Sequence, residues 1–273
     1  TVRIQRPNAD SPISQKELDS IVEKIEDETT QAAKTKISLD DQWIHLGMVI
    51  TDYKVDEKFI SFPLDLTGET LECIVLHGYW QTSMQKTVDV ISNQLGVDIS
   101  MVWETAVTRA LQARDQRESF VLVDVGGRAT EIVLVKGRRV IHNVTINVGA
   151  DDWTDVLSRK LKVSDRQAEK MKHAFQEGVL DQQRSTEVRE TLEIAIEDYV
   201  SLLAEAMRHI SPDSDLPPVL YFSGEGSALD TLKSKVLTYP WKNNGLFTNF
   251  PHVERLSGSF LNESLYYGYN ILS

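Results

Sequence analysis

Apolar residues in this chain recur at helical spacing in some stretches and at strand spacing in others, and the two kinds follow one another in a readable order. Leu18, Ile21, Val22 and Ile25 lie three or four apart behind Ser14 and Glu17, a capping box, and predict a first helix. Its opposite face (Glu23, Glu26, Asp27, Glu28) is acidic and reads either as a solvated face or as a partner surface. Strand-like stretches follow at 42–53, 57–62 and 70–78, with the turn chemistry of PLDLTGE (63–69) before the last. Met84, Val88, Ile91 and Leu95 predict a helix over about 81–95, stopped at Gly96. A short strand near 98–103 and a helix over about 104–114 come next.

The polar segment ARDQRES (113–119) is a break, and the pattern changes beyond it. Phe120 to Val123 is an unbroken apolar run, as in a strand buried on both faces. Glu131 to Val135 predicts a second strand, turned by Lys136-Gly137-Arg138. Val140, His142, Val144, Ile146 and Val148 then alternate with Ile141, Asn143, Thr145 and Asn147, a third strand with two unlike faces. Helices are predicted over about 151–161 and 164–176, the second with the capping box Ser164 and Gln167. A long helix over about 187–210 carries the stripe Val188, Leu192, Ile196, Tyr199, Leu203, Met207 and Ile210, ended by Pro212 and Pro217-Pro218. A strand (219–223), a glycine turn and a helix (about 227–237) come last. Strands followed by helices, then strand, turn and helix, indicate a layered α/β domain joined to a small helix-plus-sheet module.

Composition narrows the classes. Lys and Arg number 29 against 41 Asp and Glu among 273 residues, a net charge of −12, which argues against a binder of bulk nucleic acid. No window approaches the roughly 18–20 apolar residues of a membrane span, and the polar N-terminus has no signal-peptide core. The one cysteine, Cys73, excludes an internal disulfide and a cysteine-based zinc site, so a reducing cytoplasm is expected. The six histidines and five tryptophans show neither ligand spacing nor a stacking pattern. The chain begins at Thr1, so either the initiator is removed or a longer protein is represented by a part.

Three segments carry candidate chemistry. Asp124-Val125-Gly126-Gly127-Arg128-Ala129-Thr130-Glu131 places a glycine pair directly after a buried strand. It reads either as a plain hairpin turn or as a nest of N–H groups for an anion, with a carboxylate beside it that can hold Mg²⁺ through water. Ser223-Gly224-Glu225-Gly226-Ser227, between a strand and a helix, is either a tight connection or a phosphate or nucleoside turn. Ala168-Glu169-Lys170-Met171-Lys172 puts Glu169 and Lys172 on one helix face, as a solvated ion pair or as part of a site.

In this order the segments resemble the actin-like ATPase superfamily. DVGGRATEIVLVKGRRVIHNVTINVGADDWTDVLSRKL is similar to its second phosphate motif with the following hairpin and helix, AEKMK to its ribose- and adenine-side helix, and YFSGEGSALDTL to its adenosine motif. The spacing fits the bacterial branch that contains the cell-division protein FtsA and the pilus-assembly protein PilM. ISQKELDSIVEKI, YKVDEKFISFPLDLTGETLECIVLH and LGVDISMVWETAVTRALQ resemble the subdomain (SHS2 type) that FtsA inserts and the return into the first lobe; VDEKFISFPLDLTGETLE leans towards FtsA. HVERLSGSFLNESLYYGYNIL resembles the segment that closes the body.

The resemblance implies an actin-like ATPase fold, a ribonuclease H-like layered sheet with helices, carrying a small inserted α+β subdomain. It implies an inserted subdomain at 1–80, the remainder of the first lobe at 81–117, and a second lobe with the nucleotide motifs at 118–273. Asp124 would sit near Mg²⁺; Gly126, Gly127 and Thr130 would contact phosphate; Glu169 and Lys172 would face ribose and adenine; Gly224, Gly226 and Ser227 would line the nucleoside. No general base can be named, so at most a slow ATPase is implied, with nucleotide setting polymer state. The implied partners are the C-terminal tail of FtsZ or another division protein, and further copies of the chain. The implied location is the inner face of the cell membrane, reached through segments outside the sequence. The alternative is a PilM-like scaffold that holds a partner's cytoplasmic peptide. A sugar or acetate kinase shares the fold, but the 1–80 module does not resemble a sugar-binding lobe.

Three residues depart from the family pattern. Gly149-Ala150 stands where a glycine pair is usual, Arg128 replaces a small residue in the phosphate turn, and Glu225 adds a negative charge to the adenosine turn. The resemblance also places the family's first phosphate motif ahead of Thr1. Two or three missing charge-assisted hydrogen bonds, each about 1.5–3 kcal/mol, would cost about 4 kcal/mol or more, roughly a thousandfold. Residues 1–273 alone are therefore expected to bind ATP no more tightly than about millimolar.

Overall fold

The computed structural model describes residues 1–36, 42–97, 105–211 and 215–256. Contacts between residues divide the chain into two units, Thr1–Trp103 and Glu104–Ser273. The strand expected near 98–103 and the Tyr266 to Tyr269 cluster lie outside the described residues.

In the first unit β1 (Val2–Gln5), α1 (Gln15–Lys36), β2 (Trp43–Val55), β3 (Lys58–Ile60) and β4 (Thr70–Gln81) form an antiparallel sheet of order β1-β4-β2-β3, covered on one face by α1. The covering contacts come from the predicted stripe: Leu18, Ile21 and Ile25 pack with Ile13, Val55, Leu71 and Cys73. The capping box forms by half. Ser14 Oγ accepts from the Glu17 amide at 3.2 Å, but the Glu17 carboxylate turns away to Arg6, which donates to it at 2.7 Å. Arg6, 3% exposed, also donates to the carbonyls of Gly68 (2.8 Å) and Ser11 (2.9 Å), so one guanidinium ties strand, helix and loop together. Its hydrogen bond, with its charge, outweighs partial burial and holds the Glu17 carboxyl below the ordinary range. α2 (Thr82–Leu95) ends at Gly96 in the left-handed conformation, as expected of that residue.

The second unit contains α3 (Thr105–Ala113), β5 (Phe120–Val125), β6 (Thr130–Lys136), β7 (Arg139–Ile146), α4 (Ala150–Leu161), α5 (Asp165–Gln176), α6 (Gln182–Ile210), β8 (Val219–Ser223), α7 (Asp230–Thr238) and β9 (His252–Arg255). Its sheet has the order β7-β6-β5-β8-β9. β5, β6 and β7 are antiparallel neighbours, whereas β8 runs parallel to β5 and β9 parallel to β8. Every residue of β5 is buried, as its apolar run predicts. Val121, Val123 and Val125 join β6, β8 and the α4–α6–α7 layer in one core. All seven stripe residues of α6 are buried. Asp181 caps α6 by accepting from the Arg184 amide at 2.9 Å, which starts the helix six residues before the stripe does. The expected helix over 227–237 is two elements: a short 3₁₀ turn, Glu225–Ala228, and then α7.

Candidate functional site

The site follows from sheet order. β5 and β8 are adjacent and parallel, with Asp124 opposite Ser223 in register. From β5 the chain leaves to one side, to β6; from β8 it passes through α7 to the other side, to β9. Backbone therefore diverges at the carboxyl ends of these two strands, where open α/β sheets bind ligands. The glycine turns 126–127 and 224–226 stand at that point.

The turns lie in contact, and glycine is what allows it. Gly224 has φ +81, and a Cβ there would meet Val125 O at 2.3 Å and Asp124 Oδ1 at 2.7 Å. A Cβ on Gly149 would come within 2.5 Å of Gly126 O and 2.4 Å of Gly127 O. The α4 amides complete the join: Ala150 N donates to Gly126 O at 2.9 Å and Asp151 N to Gly127 O at 2.7 Å. The hairpin reading of Gly126-Gly127 is correct as geometry, since the pair joins β5 to β6. That hairpin also abuts the β8 turn and the start of α4.

Lys172 ties α5 to this cluster. It is 6% exposed, and its Nζ donates to Ala150 O at 3.1 Å and to Thr154 Oγ1 at 2.7 Å, and pairs with Glu169 at 2.7 Å. Thr154 donates to Glu169 in turn. His173 Nε2 lies 3.0 Å from the other Glu169 oxygen. Burial works against the charge on Glu169, but the Lys172 and Thr154 hydrogen bonds and the neighbouring positive charge prevail and hold its carboxyl below the ordinary value.

All nine sequence-predicted residues belong to this neighbourhood, with different exposure. Gly126, Gly127, Glu169 and Gly224 reach the surface, whereas Asp124, Lys172, Gly226 and Ser227 are buried. Thr130 is wholly buried, its hydroxyl donating to Val148 O at 2.8 Å and bonded to the Tyr199 hydroxyl at 3.1 Å. Burial raises the Tyr199 hydroxyl pKa, which keeps that phenol neutral. The Ser227 hydroxyl donates to Gly224 O at 2.6 Å and accepts from Arg255 Nε at 3.1 Å. The three departures also have places. Ala150's methyl lies 3.1 Å from where a Cβ on Gly226 would fall, so one small residue accommodates the other. Arg128 lies 3.5 Å from Asp151 on the surface, and Glu225 is exposed.

Sequence reasoning missed three participants. Arg109 on α3 pairs with Asp124; its only signal was a cation on the helix preceding the buried strand. Arg255 on β9 meets Ser227, and the strand itself went unpredicted. Asp152 accepts from Gly149 N at 2.8 Å and so occupies the N-terminus of α4 with a carboxylate of the chain itself.

No protein-family model matches the chain. It is 25% identical over 181 residues to the cell division protein FtsA of Helicobacter pylori strain J99, covering 63% of this chain and 37% of that protein. It is 26% identical over 144 residues to FtsA of Helicobacter pylori strain 26695, covering 52% of this chain and 29% of that protein. The matched region thus spans about a third of the length of these curated relatives. Among solved structures, a PilM–PilN type IV pilus biogenesis complex superposes with a TM-score of 0.56 at 15% identity, covering 94% of this chain and 65% of that one. The fold is that of the bacterial actin-like ATPases. No described helix is long and apolar enough to cross a membrane.

Proposed function

We propose that Glu104–Ser273 is the nucleotide-binding body of an FtsA-like actin-fold division protein, and that it takes an adenine nucleotide across the carboxyl ends of β5 and β8. The observation that carries this reading is the divergence of backbone between those parallel strands, with glycine turns on both and the Glu169–Lys172–Thr154 group beside them. The exposed Gly126-Gly127 turn faces phosphate, the Gly224 turn faces the nucleoside, and Glu169 offers a charged acceptor to ribose or adenine hydroxyl and amino groups. Lys172 acts through Thr154 and Glu169, holding their orientation, since its own donors are engaged within the fold. Nucleotide in such a site sets the assembly state of the protein more than it feeds turnover. Residues 1–80 are the inserted subdomain and 81–117 the remainder of the first lobe, and the whole protein works at the inner membrane face, joining the FtsZ ring or associating with further copies of itself.

A second reading has its own support: the PilM–PilN likeness extends over 94% of the chain, both units included. On that reading the protein is a scaffold of pilus assembly holding a partner's cytoplasmic peptide. A binding scan with immobilised peptides separates the two. Capture of the FtsZ C-terminal tail is the expected result. Capture instead of the cytoplasmic tail of an inner-membrane pilus protein would replace the division reading with the scaffold reading.

A further inference from the structure

Actin-like sites are expected to hold Mg²⁺ through the carboxylate at position 124, and the residues here do not fit that ion. Asp124, with a side chain 9% exposed, receives the Arg109 guanidinium through Nη1 and the Ser223 hydroxyl at 2.9 Å, both on Oδ1. The Gly224 turn closes over the same oxygen, close enough that a Cβ there would stand 2.7 Å from it. The arginine is held in place. α3 buries Ala106, Val107, Ala110 and Ala113, and its first turn is fixed by Glu131, which accepts from Ala106 N at 3.2 Å. Asp124 and Glu131 are cross-strand partners on β5 and β6, so two adjacent carboxylates bind one helix.

We propose that Arg109 takes the place of the divalent cation: nucleotide binding here is independent of Mg²⁺, and the guanidinium provides the positive charge beside the phosphates. This rests on the nucleotide reading above. A guanidinium presents five N–H donors in a planar fork suited to phosphate. With Nη1 on Asp124, the side chain is still 24% exposed. Its fixed charge neutralises Asp124 and repels a second cation there.

The test is equilibrium binding of ATP to the full chain in excess EDTA and in excess Mg²⁺, with titration of Mn²⁺ alone followed by its electron paramagnetic resonance signal. Affinities in the two buffers are expected to agree within about threefold, because no metal bridge to Asp124 is lost in EDTA. Mn²⁺ alone is expected to find no site. Arg109→Gln, which frees the carboxylate, is expected to gain a Mn²⁺ site and to bind ATP about tenfold or more tightly with Mg²⁺ than without. Arg109→Lys, which keeps the charge, is expected to stay indifferent to metal. Wild-type binding that requires Mg²⁺ would overturn the inference and leave the nucleotide reading standing. Because residues 1–273 alone are expected to bind ATP no more tightly than about millimolar, the titration runs to about 50 mM; absence of binding over that range in both buffers would remove the nucleotide reading and the inference with it.

Discussion

Gly224→Ala is expected to destabilise the second unit by about 2–6 kcal/mol, the sum of about 1–3 for a side chain at φ +81 and ψ 165, a backbone region essentially reserved to glycine, and about 1–3 for overpacking. The position sits at φ +81, and the new Cβ would strike the Val125 carbonyl oxygen at 2.3 Å and Asp124 Oδ1 at 2.7 Å. Neither can yield cheaply, because Val125 closes a wholly buried strand and Asp124 is held by Arg109 and Ser223. A domain is stable by only about 5–15 kcal/mol, so the loss is large. Gly137→Ala is the control. That glycine also has positive φ, +55, but nothing lies within 4 Å of its would-be Cβ, so only about 1–2 kcal/mol should be lost. Urea unfolding of the two variants measures the difference, which reports the contact between the turns together with the glycine-only backbone of Gly224. Equal losses would mean that the turns do not abut.

Lys172→Met is expected to cost about 3–5 kcal/mol and to abolish nucleotide binding. The side chain is buried, and its ammonium makes three polar contacts, to Ala150 O, Thr154 and Glu169. Hydrogen bonds involving a charge contribute roughly 1.5–3 kcal/mol each, and the contact to the partly exposed Glu169 is discounted for solvent screening. Methionine fills the volume but takes away the charged donor from both Thr154 Oγ1 and the Ala150 carbonyl, which keeps only the Thr154 hydroxyl, at 3.3 Å, as a side-chain donor. Thermal and urea melts give the stability, and Glu169→Gln serves as the comparison, since it keeps Lys172 paired with Ala150 and Thr154. A loss for Lys172→Met no greater than for Glu169→Gln would mean that the ammonium does not anchor α5 to the turns.

What was legible in the sequence had a local cause. The unbroken run Phe120 to Val123 marked the central strand because burial on both faces leaves no polar alternation. Ser164 and Gln167 marked the start of α5 because the capping box lies within four consecutive residues, and Ser164 does accept from Gln167 N, at 3.4 Å. The glycine turns could be singled out because conformational freedom is written into one residue type. What was missed depends on residues far apart in the chain. Val2–Gln5 is a strand because it pairs with β4 about seventy positions away, through Val2 opposite Cys73 and Gln5 opposite Thr70. Likewise His252–Arg255 is a strand by parallel pairing with β8. Glu17 looked like the second half of a capping box, but the buried guanidinium of Arg6, the residue after β1, competes better for it than an exposed amide does. Arg109 is the telling omission. Sequence places a carboxylate beside a phosphate turn and suggests a metal, while tertiary packing brings an arginine from the preceding helix onto the same oxygen.

One adenine nucleotide held by the Gly126 and Gly224 turns and the Glu169–Lys172 group would direct photolabelling by 8-azido-ATP to those segments, which mapping of the modified peptides reads out. Modification confined to 124–130, 165–176 and 220–228, competed by ATP and lost in Gly224→Ala, is the predicted result. Modification within 1–97, or labelling that ATP does not compete, would contradict it.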